Sequence, residues 1–126
     1  MIFNKIITIP HNTEKTDALK QDIELSYGII REVNIYFPAG CHGLVYVKLK
    51  QGLHSVLPLG HANYFAGNDI NIKLNVGIDM TDYPYLLQFE GYNVDDTYDH
   101  TIHLLINIQV PEITHKLTDF EDLEDI

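Results

Sequence analysis

Apolar and polar residues alternate along most of this chain. In "EVNIYF", Val33, Ile35 and Phe37 share one side, against Glu32, Asn34 and Tyr36. "VYVKL" sets Val45, Val47 and Leu49 inward, with Tyr46 and Lys48 outward, and "INIKLNV" sets Ile70, Ile72, Leu74 and Val76 against Asn71, Lys73 and Asn75. "YLLQF" offers Tyr85, Leu87 and Phe89, and "TIHLLINIQV" runs Ile102, Leu104, Ile106, Ile108 and Val110 against Thr101, His103, Leu105, Asn107 and Gln109. A period of two is the mark of strands with one face in a core and one in water. "IITI" and "LKQDIEL" add two weaker strands.

Turn signals punctuate these runs at Pro38-Ala39-Gly40, at Gln51-Gly52, from Gly60 to Gly67 and from Asn93 to Asp96. Roughly eight short strands follow, at the spacing typical of all-β domains. The expected fold is an antiparallel two-sheet β-sandwich, and strand count alone leaves jelly-roll and immunoglobulin-like wirings open. The sandwich is expected over residues 1–113, followed by an acidic C-terminal arm over residues 114–126. In that arm, "THKLTDFEDLEDI", the apolar residues Leu117, Phe120 and Leu123 recur every third position among five acids. They read as anchors for a neighbouring molecule.

With 126 residues and 45% hydrophobic content, the chain has enough apolar material for one core. A net charge of −10 disfavours a nucleic-acid groove and an anionic lipid surface, both of which call for clustered lysine and arginine. A single cysteine makes no internal disulfide, which suits an intracellular or virion protein better than a small secreted one. "MIFNKIITIPHNT" lacks the long apolar region of a signal peptide and is expected to be mature sequence.

Candidate chemistry is sparse. Cys41 and His42 are adjacent, so on extended backbone they point apart, and the expected role of the thiol is packing. His54 and His61 flank Pro58 and Gly60 without a zinc-ligand spacing, and His100 and His103 diverge along a strand. Asn93, Asp95, Asp96 and Asp99 in "YNVDDTYDH" offer oxygens to a hard cation, but lack the ligand order of a calcium loop. The expectation is an Asx-rich turn with carboxylates on backbone N–H groups. No catalytic set, metal site or cofactor is expected. Tyr36, Leu44 and Tyr46 place apolar surface on outward faces, which suggests a covered, interacting surface.

"REVNIYFPAGCHGLVYVKLKQGLHSVLPLG", "YFAGNDINIKLN" and "YPYLLQFEGYNVDDTYDHTIHLLI" together resemble a family of small β proteins associated with tailed bacteriophage virions. The similarity covers most of Ile30 to Ile108 and lies in turn and strand residues. It implies a non-enzymatic decoration or head-auxiliary protein, made in the host cytoplasm and seated on the capsid exterior. Its partners would be the major capsid protein or other virion proteins, with many copies on a lattice or a homo-oligomer. Interface residues would be Tyr36, Leu44, Tyr46, Leu117, Phe120 and Leu123. The rival reading is a carbohydrate-binding module for host glycans, using tyrosines and the Asp-rich loop.

Overall fold

The computed structural model describes residues 1–60 and 63–111; the arm with Leu117, Phe120 and Leu123, together with His61, lies outside the described residues. Eight strands follow in order: β1 (Ile2–Ile9), β2 (Leu19–Glu24), β3 (Gly28–Phe37), β4 (Val45–Gln51), β5 (His54–Leu57), β6 (Ile70–Met80), β7 (Leu86–Asn93) and β8 (His100–Gln109). The only helical element among the described residues is one 3₁₀ turn, Lys15–Asp17, so none is long and apolar enough to cross a membrane. The strands form two four-stranded sheets, ordered β1-β8-β3-β6 and β2-β7-β4-β5, with every pairing antiparallel.

The pairing is nested. β1 pairs with β8, β2 with β7, β3 with β6 and β4 with β5. One long hairpin wrapped into two facing sheets has this connectivity, which is that of a jelly roll. An immunoglobulin-like order is therefore excluded. β4 and β5 alone meet through a tight turn, where Gly52 takes a φ of 61° that costs glycine little.

The core lies between the sheets, where Val33, Ile35 and Phe37 of β3 and Ile102, Leu104, Ile106 and Ile108 of β8 meet Val45, Val47 and Leu49 of β4 and Leu87 and Phe89 of β7. Each such side chain contributes about 1.5–3 kcal/mol relative to remaining in water. A Cβ on Gly91 of β7 would lie 2.6 Å from Ile9 Cδ1 and 3.0 Å from the Phe89 ring, so a larger residue there would have to displace these core side chains. The edge strand β6 is less covered: Ile72, Leu74 and Val76 are half-buried, and Ile70 is exposed. Val110 falls beyond β8 and is also exposed, and Tyr85 lies just before β7, half-buried against the core.

Candidate functional site

The outer face of β2-β7-β4-β5 carries a tyrosine cluster. Tyr46 of β4 lies opposite Tyr92 of β7 in the register, and their rings stack at 4.7 Å. Tyr64 meets Tyr92 edge-on at 5.1 Å because the chain after β5 folds back along β4, with Phe65 and Val47 exchanging backbone hydrogen bonds. This return covers Lys48, which is only 4% exposed although its position in β4 is outward, contrary to the solvent-facing placement expected from alternation. Buried charge demands partners. Lys48 Nζ lies 4.3 Å from the Tyr64 ring centroid, 3.4 Å from Ser55 Oγ and 3.9 Å from Glu90 Oε2. Lys50 Nζ lies 3.7 Å from Glu90 Oε1, and the Tyr64 hydroxyl donates to Glu90 Oε2 at 2.9 Å. Burial first, then the Glu90 carboxylate, holds the Tyr64 phenol protonated well above its usual range. Tyr46 is half-buried in this stack.

On the same face, toward the β4–β5 turn, lies an open cleft of about 740 Å³. Asp22 of β2 and Gln88 of β7 form its floor, Gln51 and His54 line it from the turn, and Asp82 and Tyr83 line it from the β6–β7 connection. Tyr83 is 84% exposed. Its ring stands edge-on to Tyr85 at 5.7 Å, and Tyr85 in turn meets Tyr27 at 6.0 Å.

The outer face of β1-β8-β3-β6 has a different character. Register places Ile6, His103, Tyr36 and Asn71 in one row across the four strands, and Asn4, Leu105, Asn34 and Lys73 in the next. These rows enclose a hollow of about 350 Å³ with a mainly apolar floor. Ile6 is 68% exposed, and Tyr36 packs edge-on to His103 at 5.7 Å. The rim is fixed by a chain of hydrogen bonds: Asn71 Nδ2 donates to Asn34 Oδ1 (3.1 Å), Asn34 Nδ2 donates to Glu32 Oε2 (2.8 Å), and Lys73 pairs with Glu32 at 3.5 Å.

The Asp-rich turn is built from its own side chains. Asp95 Oδ1 accepts from the N–H groups of Thr97 (2.9 Å) and Tyr98 (3.2 Å), and its Oδ2 meets His100 Nε2 at 2.8 Å. Asp99 Oδ1 takes the backbone N–H of His11 at 2.8 Å and lies 2.7 Å from its Nδ1. These contacts hold both carboxyls below the usual carboxylate range: the His100 hydrogen bond leads for Asp95, and the His11 N–H for Asp99. The loop is the Asx-rich turn expected from its composition. Among the described residues, no group of three or more His, Cys, Asp or Glu side chains is placed to hold a metal ion.

Cys41 points into the core and is 1% exposed, while His42 is turned outward. Burial pushes the thiol pKa up, the opposite of what an activated nucleophile needs. The surrounding turn is pinned by Asn68, whose Oδ1 accepts the N–H groups of Gly40 (2.9 Å) and His42 (3.0 Å). His54 lies in the cleft and His103 on the hollow, while His11 and His100 both contact the Asp95–Asp99 turn.

Tyr36, Leu44 and Tyr46 do not form one patch. Tyr36 belongs to the hollow on one sheet, while Leu44, just before β4, shares the outward parity of Tyr46 on the other. Alternation separates inward from outward without saying which sheet a strand joins. It therefore missed Ile6 and Leu105 as companions of Tyr36. Tyr83 had a signal of its own, a tyrosine inside the turn-like "TDYPY". No family model matches the chain, and no curated protein matches it.

Proposed function

We propose that this protein is a non-enzymatic structural component of a virion. It decorates or stabilises a capsid by protein–protein contact, docking through the outer face of β1-β8-β3-β6. The observation that carries this reading is the uncovered apolar hollow of Ile6, Leu105 and Tyr36, bordered on the β3-β6 side by Asn34 and Asn71, which are already held in hydrogen bonds. An apolar centre within a pre-ordered polar rim is how protein interfaces are built, and ordering the rim beforehand lowers the entropy cost of association. Repetition over a symmetric shell makes modest single contacts sufficient. The jelly roll supports the assignment by analogy alone, since it also serves lectins and cupins.

Purified particles of the virus that encodes the chain test the proposal. The protein should be present in many copies, and Ile6→Asp should lower its occupancy while leaving its Tm unchanged. Absence from the particles overturns the assignment; full occupancy of Ile6→Asp overturns the docking face.

A further inference from the structure

We infer that the cleft beneath Tyr83 is a binding site for a neutral oligosaccharide. Four observations converge on this ligand class. First, Tyr83 presents an open ring, 84% exposed, and the edge-on contact with Tyr85 braces it. An aromatic ring held at the mouth of a cleft offers a stacking platform with a polar handle, complementary to the C–H face of a pyranose.

Second, the floor offers planar carboxylate and amide groups suited to vicinal hydroxyls: Asp22 and Gln88 side by side on neighbouring strands, with Asp82 and Gln51 at the rim. The Asp22–Gln88 contact is long, at 3.5 Å, so neither group is saturated by the other. Gln51 Nε2 is already committed to the Asp79 carbonyl at 2.8 Å, which fixes the amide and keeps its oxygen as an acceptor.

Third, the dimensions fit. The cleft takes lining residues from all four strands, β2 to β5, which are about 14 Å apart at the usual strand spacing. Its volume falls in the range of about 300–1,000 Å³ of small-ligand sites.

Fourth, charge selects among saccharides. Two aspartates line the cleft, the neighbouring cation Lys50, opposite Gln88 in the register, is paired with Glu90 at 3.7 Å, and the chain as a whole carries −10. Sialylated, sulfated and uronic-acid glycans are repelled, leaving neutral sugars. This site is separate from the Asp95–Asp99 turn, whose carboxylates are occupied internally.

The inference stands apart from the docking face, which lies on the opposite sheet. A module held to a particle by one sheet presents the other to the medium.

The test is a glycan array of neutral and anionic oligosaccharides probed with the soluble full chain, followed by titration calorimetry with the best neutral binder. Neutral oligosaccharides should bind, and the anionic ones should not. Tyr83→Ala should weaken binding at least tenfold with no change in Tm, and Tyr83→Phe should retain most of it. Asp22→Asn should weaken binding while Ile6→Asp leaves it intact. No binding by any neutral glycan on the array overturns the inference, as does binding indifferent to Tyr83→Ala. Capture of a lysine-rich control peptide in place of sugars, abolished by salt, also overturns it by assigning the cleft to cationic ligands.

Discussion

Replacing Asn93 by alanine should be among the most damaging single changes in the molecule. The side chain is fully buried, with both amide donors and one acceptor site of the oxygen engaged. Its Nδ2 donates to the carbonyls of Ile9 (3.1 Å) and Tyr98 (3.0 Å), and its Oδ1 accepts the N–H of Asp95 (3.0 Å). Its backbone meanwhile exchanges two hydrogen bonds with Thr13, at 2.9 and 3.0 Å. One residue therefore joins the end of β1, the lead into β2 and the Asp-rich turn. Alanine removes three side-chain bonds and strands their partners away from water, at about 1 kcal/mol each plus part of the desolvation cost, or about 2–4 kcal/mol in all. At roughly 3–5 °C per kcal/mol for a domain of this size, Tm should fall by on the order of 10 °C. Urea unfolding followed by circular dichroism measures the loss directly, and the m-value should stay constant. Asn93→Asp should be at least as harmful at neutral pH, since a carboxylate would face two carbonyl oxygens, and should recover partly as acid restores one donor. A cost below about 1 kcal/mol for alanine, or an aspartate variant as stable as wild type at pH 7, would refute the reasoning.

Two further outcomes follow from the same geometry. Asp95 and Asp99 have carboxyl pKa values held below their unfolded value of about 3.9, so their stabilisation is present above that pH and is lost as pH falls through the folded values. The urea midpoint should drop below about pH 4, and Asp95→Asn should flatten that drop; an unchanged slope would count against it. Cys41, buried and with its pKa raised, should react with a thiol reagent only on unfolding, and Cys41→Ser should leave the proposed particle binding unaffected. Prompt labelling of the native protein would contradict its place in the core.

The two-sheet architecture was legible because alternation is a local signal. Val33, Ile35 and Phe37, and the Ile102–Ile108 series, are buried as their period demands. The wiring was hidden, because nothing within a strand says that β1 will lie beside β8. The same non-locality hid the surfaces. Lys48 reads as a solvent-facing lysine until the return of Tyr64 and Phe65 over it is known, and Tyr36 and Tyr46 read as companions until the sheets separate them. The Asp95 turn was readable because its bonds close within a few residues, apart from the reach of Asp99 to His11.

The nested pairing also imposes a schedule on folding. The N-terminal amine of Met1 bonds to the carbonyl of Ile108, 107 positions away, whereas β4 and β5 meet across a tight turn. Loop-closure entropy grows with separation, so the inexpensive contact is at the centre of the chain and the costly ones are at its ends. Zipping outward from the β4–β5 turn, through β3 with β6 and β2 with β7, shortens the effective loop at every stage. The β1–β8 pair then closes last. A ribosome therefore releases β1 long before its partner exists, and Ile7 and Ile9, buried in the finished core, travel exposed until β8 emerges. Slow, late closure of this kind is the kinetic signature of high contact order, and it makes the first strand the point at which two nascent copies could exchange ends.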